Sequence, residues 1–258
     1  MDISQGLVET AYKAYERKLL NIIKRGKIPK HVGIIMDGNR RFARELWMEP
    51  VKGHDRGKDK LEEVLEWCQE LGIKILTVYA FSTENFRRSK EEIEHLLKLF
   101  VEGLRRAADD ERVAKHGMRI RVIGQIDLLP DELKEAIKYA EEKTKDHDNF
   151  FLNVAIAYGG REEIIRAIRE IAREVKEGKL ELENIDEETV RRHLYTGDLP
   201  DPDLILRTSG EERISNFLLW QSAYSEFYFA DVYWPTFRKI DFLRAIRAYQ
   251  LRQRRFGR

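Results

Sequence analysis

Short apolar runs separated by segments of helical period constrain this chain more than any other feature. Residues 32–36, 75–81 and 151–158 have the length and composition of buried strands, and residues 119–124 alternate. Residues 203–207 read as a further short strand, and the aromatic-rich stretch 217–233 is expected to hold a last one. Between them, residues 3–25, 58–71, 90–115, 130–145, 161–176 and 241–256 read as helices. Residues 47–57, which carry Pro50, Gly53 and Gly57, read as irregular, and residues 178–202 as a linker with a short helix. Strands alternating with helices imply right-handed crossovers. The expected fold is therefore α/β: a single domain with a mostly parallel central sheet flanked by helices. Ligands of such sheets bind beyond the carboxyl ends of the strands.

The first strand end carries the most chemistry. The run Val32–Met36 stops at Asp37-Gly38-Asn39, and Arg40, Arg41 and Phe42 follow into a segment able to start a helix. A strand leading through a glycine turn into a helix aims backbone N–H groups at one point, and the two arginines add fixed positive charge. Asp37 is out of place there. A carboxylate 4 Å from a phosphate is repelled by about 4 kcal/mol at an effective dielectric near 20, unless a divalent cation lies between them. The stretch thus suggests a phosphate loop with a magnesium ligand, although a plain turn with a surface arginine pair would use the same residues. The other strand ends offer Ser82, Thr83, Glu84, Asn85, Phe86 and Arg88, then Arg207, with Arg213 and Ser215 just beyond. Arginine suits bidentate phosphate contacts. Several arginines around a metal-binding acid imply a polyanion, most simply one or two diphosphates. Ser89 with Glu92 has the spacing of a helix capping box.

Composition excludes several classes. Lys plus Arg number 47 against 46 Asp plus Glu, so no basic excess exists for nucleic-acid binding. One cysteine excludes a disulfide framework. No apolar run is long enough to span a bilayer, and no secretion signal opens the chain, so a cytoplasmic protein is expected. Residues 3–25 place Leu7, Ala11, Tyr15, Leu19 and Ile22 on one stripe. Such a stripe suits packing on the domain or a partner, or a peripheral membrane contact. Glycine-rich nucleotide fingerprints are missing.

The motifs His-Val-Gly-Ile-Ile-Met-Asp-Gly-Asn-Arg-Arg, Gly53-His54, Val-Tyr-Ala-Phe-Ser-Thr-Glu-Asn-Phe-Arg-Arg and Leu-Arg-Thr-Ser-Gly-Glu-Glu-Arg-Ile-Ser-Asn-Phe-Leu-Leu-Trp-Gln closely resemble the cis-prenyltransferases, in order, from about residue 31 to 257. These are the undecaprenyl and dehydrodolichyl diphosphate synthases. The resemblance implies a catalytic domain over residues 31–258, with residues 1–30 an N-terminal amphipathic helical extension. It implies a Mg²⁺-dependent condensation of isopentenyl diphosphate units onto an allylic diphosphate, giving a long polycis-polyprenyl diphosphate, precursor of a glycosyl carrier lipid. On this reading Asp37 and Glu226 bind the metal, and Asp37 and Asn85 are catalytic. The allylic diphosphate sits on Gly38, Asn39, Arg40 and Arg41, with Phe42 and His54 nearby. Arg207, Arg213 and Ser215 hold isopentenyl diphosphate, while Ser82, Thr83, Glu84, Phe86 and Arg88 line the site between the two. The growing chain is expected in an apolar tunnel near residues 61–71 and 89–108. Arg255 and Gly257 resemble the C-terminal residues that reach a partner's site in the family, which implies a homodimer.

Arg40-Arg41-Phe42 departs from the Gly-Arg-Trp of bacterial members and resembles the archaeal and eukaryotic branch. That resemblance favours geranylgeranyl diphosphate over farnesyl diphosphate as starter. Pro50 and Glu212 stand where bacterial members usually carry a basic residue and a histidine. Alternatives are a short-chain synthase or a non-catalytic partner subunit of the same fold.

Overall fold

Every expected strand takes its place in one six-stranded parallel sheet. The computed structural model describes residues 3–252, with side chains from Tyr12 onward. The strands are β1 His31–Ile35, β2 Ile75–Ser82, β3 Met118–Ile123, β4 Phe150–Tyr158, β5 Leu204–Arg207 and β6 Glu226–Phe229, in the spatial order β3-β4-β2-β1-β5-β6. β1 is buried along its whole length and β4 almost so, as strands covered by helices on both faces must be. Edge strand β3 alternates at its start. The helices are α1 Ile3–Lys24, α2 Asn39–Glu45, α3 Pro50–Leu71, α4 Lys90–Asp109, α5 Glu111–Lys115, α6 Asp131–Thr144, α7 Gly160–Lys176, α8 Glu187–Arg192 and α9 Lys239–Leu251.

Four local expectations are corrected. Residues 50–57 are not irregular: they are the first turns of α3, with Pro50 in the opening position that proline tolerates. The glycines there serve packing instead of breaking the helix. A Cβ on Gly53 would lie 2.2 Å from the Asn39 carbonyl oxygen, and one on Gly57 would lie 2.6 Å from Asn39 Oδ1. Only glycine lets α3 press against Asn39, at the start of α2. The expected helix 90–115 is two helices, α4 and α5. Asp110 ends one and caps the other, its carboxylate accepting the Arg112 N–H at 2.8 Å. The Ser89–Glu92 capping box is half formed. Ser89 Oγ accepts the Glu92 N–H at 3.3 Å, but the Glu92 carboxylate turns to other partners. Finally, α1 packs on α9 through Leu19 and Ile23, whereas Tyr15 and Ile22 are exposed. The buried stripe follows the i,i+4 step. Leu7 and Ala11 lie outside the described side chains.

At the amino ends of the strands a buried polar chain ties β1, β2 and β4 together. His31 Nδ1 lies 2.7 Å from the Pro200 carbonyl, His31 Nε2 lies 2.8 Å from Thr77 Oγ1, and Asn153 Nδ2 donates to the same hydroxyl at 3.0 Å. Burial pushes the His31 imidazole down to about 4, outweighing the help of Pro200 and Asp203. Its folded pKa lies below the unfolded value of 6.5, so the unfolded chain binds more protons in acid. His31 therefore contributes fully above pH 6.5, and that contribution is lost as the pH falls towards 4. Acidification across this window is expected to remove about 3 kcal/mol. Denaturant melts of wild type and His31→Asn at both ends of the window check this, because the variant should lose much of the pH slope.

Candidate active site

The strands' carboxyl ends converge on Asp37. Gly38, which follows it, has φ 107°, and a Cβ there would lie 3.0 Å from Tyr233 Cα. Glycine is thus required twice, by its left-handed backbone and by the close approach of Tyr233. Thr208 Oγ1 donates to the Asp37 carbonyl at 2.6 Å, and the Trp234 N–H donates to it at 3.0 Å. The turn is clamped from two loops.

The Asp37 carboxylate is a hub for cations. Arg207 Nη2 donates to Oδ2 at 2.7 Å and Arg41 Nη2 to the same oxygen at 3.2 Å, while Oδ1 accepts the Gly38 N–H at 2.7 Å. Burial raises the carboxyl pKa, but the Arg207 and Ser209 hydrogen bonds and the Arg207 and Arg41 charges outweigh it. Asp37 therefore lies below the ordinary carboxylate range and is ionised. Arg41 also reaches Ser209 Oγ at 2.6 Å and Glu211 Oε1 at 3.0 Å. Arg207, almost fully buried, donates its other terminal nitrogen to the Arg213 carbonyl at 2.5 Å and to Ser215 Oγ at 2.8 Å. Arg207, the last residue of β5, thus holds with one guanidinium the loop that carries the other two predicted residues, Arg213 and Ser215. The Arg213 side chain itself is exposed and paired with Glu211.

A second carboxylate gathers His54, Arg88 and Arg40 from the predicted set. Glu92, at the start of α4, lies 3.0 Å from His54 Nε2, 3.0 Å from Arg88 Nη1 and 3.6 Å from Arg40 Nε, all through Oε1. Burial raises its carboxyl pKa, yet the His54 hydrogen bond and the arginine charges bring it below the ordinary range. His54 is shifted down, chiefly by burial, against the pull of Glu92.

Two cavities meet here. One, of about 310 Å³, is lined by Met36, Asp37, Gly38, Asn39, Arg40, Arg41, Arg44, His54 and Arg88. The other, of about 430 Å³, runs between α3, α4 and the sheet, past Leu61 and Leu65, Leu96, Phe100 and Leu104, and Ile120, Leu152 and Ile156. Met36, Asn39 and His54 line both. An anion pocket opening into an apolar tunnel suits a ligand with a highly charged head and a hydrocarbon tail.

The loop after β2 lies beside this junction. Ser82 and Asn85 cap each other, the Asn85 side-chain carbonyl accepting the Ser82 N–H at 3.2 Å. Thr83 opens the following short 3₁₀ turn, Phe86 packs edge-on against Phe81 at 4.9 Å, and Glu84 accepts from Asn216 at 3.3 Å. Phe42 lies in α2. Glu226 is not brought to Asp37 within the chain. It pairs with Leu204 at the amino end of β5, whereas Arg207, which touches Asp37, is at the carboxyl end. The Glu226 carboxylate accepts from Arg252 at 3.0 Å. Arg255 and Gly257 lie outside the described residues. Among the described residues no group of three or more His, Cys, Asp or Glu side chains is placed to hold a metal.

Glu92, Glu211 and Asn216 stand beside the predicted set. Arg88 and Glu92 share helix-pair spacing, the one trace of the second hub in the sequence. Ser209, Ser215, Asn216 and Leu218 all have positive φ, a strain that clusters at functional sites.

A prenyltransferase family model described as undecaprenyl diphosphate synthase matches residues 35–257. The chain is 60% identical over 251 residues to a tritrans,polycis-undecaprenyl-diphosphate synthase (geranylgeranyl-diphosphate specific) of Methanopyrus kandleri, covering 97% of this chain and 93% of that protein. A protein of the same name from Pyrococcus horikoshii is 59% identical over 248 residues, covering 96% and 94%. Lavandulyl diphosphate synthase from Lavandula x intermedia, solved with dimethylallyl diphosphate, superposes with a TM-score of 0.84 at 37% identity, over 90% of this chain and 99% of that one.

Proposed function

This chain belongs to the undecaprenyl diphosphate synthase family of prenyltransferases, and from that premise we propose how its residues divide the work. It is a cis-prenyltransferase that joins isopentenyl diphosphate to an allylic diphosphate and makes a polycis-undecaprenyl-type diphosphate. The observation that carries the assignment is the arginine-lined pocket opening into the apolar tunnel through Met36, Asn39 and His54. The allylic diphosphate occupies the pocket, its hydrocarbon enters the tunnel, and isopentenyl diphosphate sits by Arg207, Arg213 and Ser215. The geranylgeranyl specificity named for relatives at about 60% identity supports geranylgeranyl diphosphate as the starter.

The reaction forms a bond between the allylic carbon and the isopentenyl double bond, expels diphosphate and removes a proton. Arg40, Arg41 and Arg88 neutralise charge developing on the leaving group. The ionised Asp37 carboxylate, which lines the diphosphate pocket, fits Mg²⁺, which prefers one or two carboxylates, water and substrate phosphates to an all-protein cage. Asp37 would hold it, and the ion would supply further charge neutralisation on the diphosphate. Glu226 remains a candidate metal ligand only in another assembly, since its own chain directs it elsewhere. The product cation is acidic enough for a weak base. Asn85, whose carbonyl is committed to Ser82, offers its amide N–H to orient the phosphate oxygen that takes the proton.

Residues 1–30 are read as an extension of the 31–258 catalytic domain, and the assembly as a homodimer completed through Arg255 and Gly257. No helix among the described residues is long and apolar enough to cross a membrane. A cytoplasmic enzyme with at most peripheral membrane contact accords with this.

Radiolabelled isopentenyl diphosphate, offered with Mg²⁺ and either geranylgeranyl or farnesyl diphosphate, tests the proposal. Long polyprenyl products are expected, faster from geranylgeranyl diphosphate and abolished by EDTA. Products stopping after one or a few additions would instead make it a short-chain synthase. No incorporation by folded protein would point to a non-catalytic partner subunit.

A further inference from the structure

We propose that Glu92 is the positioning residue of the allylic pocket: it fixes Arg40, His54 and Arg88 where the anion pocket meets the tunnel. The inference rests on the reading of that pocket as the allylic site.

The puzzle is a carboxylate placed beside an anion site, where it should repel the ligand. Glu92 is almost completely buried, with 7% of its side chain exposed, so water screens it little. Its benefit must come through what it holds. All three partners, the two arginines and His54, converge on one oxygen, Oε1. Arg88 uses one terminal nitrogen on Glu92, and Arg40 only its Nε. The rest of each guanidinium fork remains for a phosphate, and both residues line the pocket. A neutral His54 donating Nε2–H to Glu92 has its ring fixed at the one place common to pocket and tunnel.

The arrangement parallels that at Asp37. There one carboxylate holds Arg41 and Arg207 on the side of the loop after β5, and here another holds Arg40 and Arg88 on the side of α4. Long arginine side chains otherwise lose rotamer freedom when they clamp a ligand. Counter-ions already in place meet that cost at folding and leave the site preorganised. Because none of Glu92's side-chain hydrogen-bond or ion-pair partners among the described residues lies in the loop after β5, its influence should fall on the allylic substrate alone.

Glu92→Gln keeps the shape and removes the charge. The allylic KM, and the Kd of geranylgeranyl diphosphate measured by calorimetry without isopentenyl diphosphate, should rise by about tenfold, the scale of a lost charged hydrogen bond. The KM for isopentenyl diphosphate should stay unchanged. A purely structural defect would lower the active fraction, hence kcat, and leave both KM values alone. Arg88→Ala and the double variant complete a cycle: if Glu92 acts through Arg88, the double loss is smaller than the product of the single losses. Glu92→Asp, which keeps the charge but shortens its reach, is expected to weaken allylic binding in the same way and serves if Glu92→Gln does not fold. Weakened binding in Arg88→Ala with none in either Glu92 variant would overturn the role of Glu92 alone. Unchanged binding in Arg88→Ala would overturn the site reading beneath it. Equal effects on both substrates would overturn the division between them.

Discussion

Asp37→Asn is expected to lower kcat by at least about a thousandfold while the protein stays folded. The carboxylate is the centre on which Arg207 at 2.7 Å and Arg41 at 3.2 Å are set, and the one acid in the anion pocket able to meet a metal. Asparagine keeps an acceptor for Arg207 but removes the charge. Alanine is the poorer probe, because it would leave an almost fully buried guanidinium without its counter-ion, a loss of about 3–5 kcal/mol. Steady-state turnover with both substrates, paired with a thermal melt, decides the matter. Near-normal turnover in folded Asp37→Asn would remove Asp37 from the catalytic role and leave its contacts as loop architecture.

The second large effect concerns product length. Gly103, within α4, lines the tunnel, and a Cβ built there meets nothing within 4 Å. Glycine inside a helix is destabilising by about 1 kcal/mol relative to alanine, so a larger residue carries no backbone penalty. Gly103→Phe places a ring in the space the lengthening hydrocarbon should occupy. The first additions should proceed at near wild-type rate, and products should then stop several isoprene units short. Reverse-phase separation of labelled products reads this directly. An unchanged length distribution from a stable variant would mean that the chain takes another path.

Much of the site was written in local sequence. Asp37, Gly38, Arg40 and Arg41 are neighbours in the chain, and a strand followed by a glycine turn leaves them few other places to go. Arg207 follows an apolar run that could only be a strand in the same parallel sheet, which brings it to the same edge. The two glycines of α3 were misleading for a physical reason. Locally, glycine weakens a helix, but at Gly53 and Gly57 the requirement is the space taken by Asn39, a residue of another element. Glu92 was hidden in the same way. Its spacing from Ser89 suited a cap, and only the approach of α3 to α4 offered its carboxylate a better partner in His54. Glu226 shows the converse: a motif position carries no register, and pairing with Leu204 puts it at the end of the sheet away from Asp37.

The sequence by itself determined the alternation of strand and helix, the parallel sheet and the strand ends that carry charge, since periodicity and turn chemistry act over a few residues. Tertiary structure alone decided which carboxylate holds which arginine, where the tunnel joins the anion pocket, and which glycines are spaces and not breaks. Those features depend on distances between elements far apart in the chain, and burial changes the energies of the charged groups that meet there.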